Sequence, residues 1–281
     1  MAAGGLGAGV AFGHGDVHDR IAGVNQQIAT APADAQLYLQ RAELFRQHAD
    51  WQAALADCDQ AQPLDPAVDV ALLRGRILLE AGRPADALQV LDGYVSRHPQ
   101  HTQAWVCRAR VLTYLGRHDA AIADYREALQ RSPQPEPDLV LECANALVAM
   151  GKSAEAVAVL DAGLTKLGEL PSLALRALDI EVATGKIEAA LARVETMRQH
   201  APRPEPWMAK RASVLAQAGR LVESQAAWQA LVGHLAGLPD AERRSHAIIH
   251  LMQQARQALA ALDSLRPANE TPPSIPPRSE S

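Results

Sequence analysis

The chain has 281 residues, with 27 Lys and Arg against 32 Asp and Glu. Its formal net charge is −5 and the two signs are interleaved, so there is no basic footprint for nucleic acid. Aromatics are only 4% of residues while 48% are hydrophobic, so the core must be made mostly of Ala, Leu and Val, which suits close helix-on-helix packing in an all-α protein. No apolar run approaches the roughly 18 residues that a membrane-spanning helix needs, which predicts a soluble chain with no membrane span.

Residues 1–15 are rich in Gly and Ala and offer little apolar surface to offset the entropy of ordering, so a disordered N-terminal segment is expected. The segment lacks the basic start and Leu-rich stretch of a signal peptide. As written, the chain reads as cytoplasmic; a signal peptide encoded upstream of Met1 would make it periplasmic or secreted. Asp16 reads as the N-cap of a helix over 16–31, with Ile21, Val24 and Ile28 on one face and Pro32 as its stop. This helix is expected to cap the apolar face of the array that follows.

Repetition then begins. Glycines stand at positions 82, 116, 151, 185 and 219, in steps of 34, 35, 34 and 34, and each is followed by a basic residue: Arg83, Arg117, Lys152, Lys186 and Arg220. A glycine here lets a helix end in the left-handed conformation, and the cation after it complements the helix C-terminus. A second row of small residues, Ala54, Ala87, Ala121, Ala156, Ala190 and Ser224, keeps the same period and would let paired helices cross closely.

These rows resemble the tetratricopeptide repeat (TPR) family, whose pattern W-x2-L-G-x2-Y, Gly, A-x3-F, A, P runs over about 34 residues. The stretch 102–133 carries it with Trp105, Ala109, Leu112, Gly116, Ala121, Tyr125, Ala128 and Pro133. The first copy has Tyr38, Ala42, Phe45, Trp51, Ala54, Ala61 and Pro66; the second has Gly75, Leu78, Gly82, Ala87, Leu91 and Pro99. Three later copies depart from it: the fourth ends in LGELP, the fifth places Glu181 at an apolar position, and the sixth has Ser224 in the small-residue row. The resemblance implies a right-handed α-α superhelix, an α-solenoid of about six helix pairs, over 35–236. Its copies are expected at about 35–67, 68–101, 102–136, 137–170, 171–204 and 205–236, least regular around 133–137 and 167–171.

A C-terminal capping helix is expected over 240–265, with Ile248, Ile249, Leu251, Met252, Leu259 and Leu262 on its packing side and Arg243, Arg244, Gln253 and Arg256 on a polar face. The tail 266–281 is Pro- and Ser-rich, hence disordered or polyproline-like, and its Pro273, Pro276 and Arg278 fit the PxxPxR form of a polyproline ligand.

Chemistry is sparse. Cys58, Cys107 and Cys143 have no CxxC spacing and read as buried thiols. His246 and His250 stand four apart, as do His14 and His18, a spacing that can turn two imidazoles toward zinc; no glutamate follows His246, so the metalloprotease motif is absent and a surface or packing pair is the plainer reading. The early glycines GGLGAG lack the lysine of a phosphate loop. No nucleophile, base and oxyanion set stands out, so the expectation is a non-enzymatic chain with no cofactor and no metal. An enzyme or metal-binding protein is the remote alternative.

In the family, the first helix of each pair lines a concave groove, through the residues two, five, six, nine, twelve and thirteen places into the repeat. The resemblance therefore places Gln36, Glu43, Gln47, Arg76, Glu80, Gln103, Arg110, Tyr114, Glu142, Asn145, Arg176, Asp179, Lys210, Ser213 and Gln217 there. Leu39 and Glu43 stand where a carboxylate clamp of the family would need Lys and Asn. The candidates for partner contact are Glu43, Arg76, Arg110, Tyr114, Asn145 and Asp179. Arg76 and Arg110 could take an acidic side chain or peptide terminus, or be held by Glu43 or Glu80 within the chain. The function implied is a scaffold that binds a peptide or helix of a partner protein, with an exported structural or assembly component as the alternative. Neither the partner's identity nor the oligomeric state follows from the sequence.

Overall fold

The computed structural model describes residues 14–264. The Gly/Ala-rich start, the polyproline-type segment and the side chain of His14 lie outside that range, as does position 265. Among the described residues there are fifteen helices and no strand. The chain forms two compact units, Met1–Lys152 and Ser153–Ser281.

The first unit holds α1 (His14–Thr30), α2 (Ala35–Gln47), α3 (Trp51–Leu64), α4 (Ala71–Glu80), α5 (Pro84–Arg97), α6 (Thr102–Tyr114), α7 (His118–Arg131) and α8 (Pro137–Ala149). Helices α2 and α3, α4 and α5, and α6 and α7 pack as hairpins, with α1 against α2 and α7 against α8. The second unit holds α9 (Ser153–Leu167), α10 (Pro171–Ala183), α11 (Ile187–His200), α12 (Glu205–Gln217), α13 (Leu221–Gly237), α14 (Asp240–Arg243) and α15 (His246–Ser264). There α10 packs on α9 and α11, α12 pairs with α13, and α15 lies against α13.

The glycine row does what its chemistry requires. Gly116 has φ +70°, and the N–H of Arg117 donates to the carbonyl of Leu112 at 2.8 Å, the long closing bond of a Schellman turn. The same bond recurs from Arg83 to Leu78, Lys152 to Leu147, Lys186 to Glu181 and Arg220 to Leu215. In the first hairpin Ala49 takes the left-handed place at φ +61°, a position where a Cβ is strained. The alanines of the second row are fully buried in the hairpins.

The departures have local reasons. Ser224 is fully buried, and its hydroxyl donates to the carbonyl of Ala212 at 2.8 Å, so a small polar residue fits the helix crossing. Glu181 is buried and takes a two-bond grip from Arg193. Gly168, at φ +84°, ends α9 without a proline. Helix α1 starts at His14, so Asp16 lies inside it instead of capping it. The stretch expected as one helix from 240 is divided at Ser245, whose hydroxyl and carbonyl accept from the N–H groups of Ile248 and Ile249 and so begin a new helix.

Candidate peptide-binding groove

In the first unit the leading helices α2, α4, α6 and α8 carry the groove candidates, and α4 and α6 touch directly. Glu43 lies on α2, Arg76 on α4, Arg110 and Tyr114 on α6, and Asn145 on α8. Asp179 lies on α10 and belongs to the second unit, as do Arg176, Lys210, Ser213 and Gln217. The hydroxyl of Ser213 is spent on the carbonyl of Ala209 at 3.0 Å.

The centre of the charged row is Arg46, twelve places into the first copy and not among the residues assigned to the groove or to partner contact. Its guanidinium donates to Glu43 at 2.7 and 2.9 Å and to both oxygens of Glu80 at 2.6 and 2.8 Å. Glu43 is thereby held below the usual carboxylate range, chiefly by the bonds from Arg46 and against the cost of its partial burial, with a further bond from Gln47. Arg76 reaches Glu43 only at 3.8 Å and is 41% exposed. Arg110 donates to Glu142 on α8 at 2.9 Å.

Cys107, on α6 with Arg110, is buried. Burial pushes its thiol pKa up, against the opposing fields of Arg110 and Arg76 and a contact with Gln103. Tyr125 is buried beside Thr113 and Glu142, and its phenol is also pushed up by burial. Tyr114 is different in kind: it is 66% exposed, with Leu115 and Met150 also open at helix ends of the same unit. The row thus offers three arginines, three glutamates and a projecting aromatic ring, with its charges traded between neighbouring helices.

A second arginine row has no counterpart in the sequence reading. Arg41 grips Asp57 with two bonds at 2.6 and 2.8 Å and donates to Asn25 at 2.7 Å, partners sixteen residues to either side. Arg108 repeats this with Asp124, at 2.7 and 2.8 Å, and Asp92, at 3.0 Å, again sixteen residues away in each direction. Arg74 holds Asp59, and Arg193 in the second unit holds Glu181 and Asp161. Asp57, Asp124 and Glu181 are buried, so these bridges tie each hairpin to itself and to the helix before it.

Family profiles described as tetratricopeptide repeat match residues 72–134 and 112–169, the two overlapping across the α6 and α7 hairpin. Residues 72–169 carry tetratricopeptide repeats. An uncharacterised protein of Sinorhizobium fredii, y4yS, is 40% identical over 67 residues, which span 24% of this chain and 37% of that protein. A TPR protein from Parabacteroides merdae superposes with a TM-score of 0.51 at 16% identity, covering 86% of this chain and 93% of its own. The pilF protein of Pseudomonas aeruginosa does so with 0.53 at 15% identity, covering 79% and 96%. At these identities the two structures speak for the fold. TPR arrays are in general protein-interaction scaffolds, typically without catalysis.

His246 and His250 are exposed on α15 and line a cleft of about 430 Å³ with Arg203, Glu205, Pro206 and Leu251. Among the described residues no set of three His, Cys, Asp or Glu is placed to hold a metal ion. No described helix is long and apolar enough to cross a membrane.

Proposed function

We propose that the face of α2, α4, α6 and α8 binds an extended segment of a partner protein, with Tyr114 as the apolar anchor and Arg76 and Arg110 as carboxylate contacts. The observation that carries this reading is Tyr114, whose ring stands two-thirds exposed at the edge of a row of charged side chains. Aromatic residues with a polar tip give large contact area at low entropic cost, and Arg beside them adds directional bonds to carboxylates. Because exposed ion pairs contribute about 0–1 kcal/mol, Arg76 can leave Glu43 for a partner's carboxylate at little cost. Asn145 on α8 and Glu43 on α2 would bond the partner's backbone. Asp179 would serve the equivalent face of α10 in the second unit.

The test is photocrosslinking in the native cells with benzoylphenylalanine in place of Tyr114. Crosslinking to one defined protein, lost in Arg76→Glu with Arg110→Glu while helical content is kept, supports the groove. Crosslinking unchanged by the two charge reversals would move the contact to another face.

A further inference from the structure

Arg211 on α12 occupies the same place as Arg41 and Arg108, with Glu195 sixteen residues before it and position 227 sixteen residues after it. At the places of Arg41 and Arg108 that later residue is the buried Asp57 or Asp124, gripped by its arginine through two bonds, whereas Arg74 has Val90 there and takes Asp59 from the preceding helix instead. In the Arg211 hairpin it is Ala227. The earlier partner is also taken: Glu195 receives both bonds from Arg198, at 2.7 and 2.9 Å, and one from Gln199 at 2.9 Å. Arg211 therefore makes no hydrogen bond or ion pair among the described residues, although it is partly buried; it acts on Glu195 and Glu223 only through its field.

An open cleft of about 530 Å³ lies at this point, lined by Glu195, Arg198, Met208, Arg211, Ala227 and Ala230. All six belong to the second unit, whereas the leading-helix row described above belongs to the first. Its formal charge is positive, two guanidinium groups against one carboxylate whose oxygens already accept three bonds. A partly buried guanidinium with unfilled donors favours a planar carboxylate, which takes two parallel bonds from the fork. Met208, Ala227 and Ala230 supply the apolar wall for the carbon atoms that carry it.

We propose that this cleft is a binding site for an external carboxylate, which completes on Arg211 the bridge that Asp57 and Asp124 complete on Arg41 and Arg108. The carboxylate is that of an acidic side chain on a partner protein or of a small dicarboxylate. The chain's own repeated bridge is the template for the contact. Ala227 leaves room where an internal carboxylate would otherwise stand.

The experiment follows the arginine Nε–H signals of the full-length protein by NMR, with Arg211 assigned through Arg211→Lys. One arm adds N-acetyl-Gly-Glu-Gly-amide and its Gln counterpart; the other adds glutarate; sodium chloride at matched ionic strength controls for screening. A saturable shift of the Arg211 signal, with half-saturation on the order of tens of millimolar or below, is expected for a single-carboxylate contact. Saturation by the Glu peptide alone assigns the site to a protein side chain, and saturation by glutarate alone assigns it to a small molecule. Ala227→Asp should abolish the shift by filling the site from within. It should also raise the urea midpoint when Arg211 is present and lower it when Arg211→Gln is added. The proposal is overturned by no saturable shift, by an equal shift with the Gln peptide or salt, by a shift that survives Ala227→Asp, or by an Ala227→Asp effect on stability that ignores Arg211.

Discussion

Arg46 on α2 and Glu80 on α4 stand 34 residues apart and are joined by two bonds from a single guanidinium nitrogen, at 2.6 and 2.8 Å. The same guanidinium holds Glu43 through its other nitrogens, so one side chain neutralises two carboxylates from consecutive leading helices. Arg46→Met keeps the packing stem and removes the charge. It should destabilise by about 1–2 kcal/mol, since two acidic groups lose a shared partner and Gln47 is left as the remaining donor to Glu43. Urea denaturation of the full chain measures this.

The pH dependence follows from the direction of the Glu43 shift. Its carboxyl is held below the unfolded value, so its contribution to stability is present above that value and is lost as pH falls through the lower, folded one. The wild-type urea midpoint should therefore drop on acidification below about pH 4.5, with a shallower drop in Arg46→Met and in Glu43→Gln. Parallel acid limbs in all three would show that Arg46 does not set the Glu43 ionisation.

Gly75 on α4 is a glycine of close approach. A Cβ built there would stand 2.8 Å from Cγ of Leu91 and within 3.0 Å of its two methyls, and Leu91 is fully buried on α5. Gly75→Ala gains helix propensity of about 1 kcal/mol but overpacks the α4 and α5 crossing, at a cost of about 1–3 kcal/mol. The net effect should be destabilising. Adding Leu91→Ala should reverse its sign, because the methyl introduced on α4 then fills part of the cavity; a double-mutant cycle with a coupling of zero would mean that α5 moves aside instead.

How much of this was open to reading from sequence depends on how the physics is written along the chain. The glycine row is legible because a left-handed helix end at Gly116 or Gly185 admits few other residues, and the alanine row because nothing larger fits the crossing at Ala121. Ala49 breaks the first rule, so the first turn shows as a hairpin only through its neighbours Phe45, Trp51 and Ala54. Tyr114 and Arg110 are found from their place in the repeat. Arg46 is one place in the same row, yet a lone arginine on a helix surface looks like any solvated cation until its two acidic partners are known. The Arg41 and Arg108 bridges escape altogether, because partners sixteen residues away lie on different helices and follow no period of a single helix.

Ala49 itself gives a simple prediction. At φ +61° its Cβ crowds the following carbonyl, at a cost of about 1–2 kcal/mol relative to glycine, whereas glycine gives back about 0.4–1 kcal/mol through its freer unfolded chain. Ala49→Gly should therefore stabilise by up to about 1 kcal/mol, raising the urea midpoint without a change in slope. Ala49→Val should lower it, since a branched side chain tolerates the left-handed region least.

The Arg108 and Asp124 bridge separates a pair's net contribution from the penalty for breaking it. The aspartate side chain is 6% exposed and the arginine 18%, and Arg108 also lies over the ring of Trp105 at 5.0 Å. Arg108→Met strands a buried carboxylate and should cost about 3–5 kcal/mol. Asp124→Leu leaves Arg108 with Asp92 and the Trp105 face, so its cost should be smaller, about 1–3 kcal/mol. Replacing both at once removes the desolvated charges together, and the double variant should be more stable than Arg108→Met alone. Urea midpoints of the four proteins settle the order; a double variant that sums the two single losses would mean that the bridge contributes nothing beyond what each side chain contributes by packing.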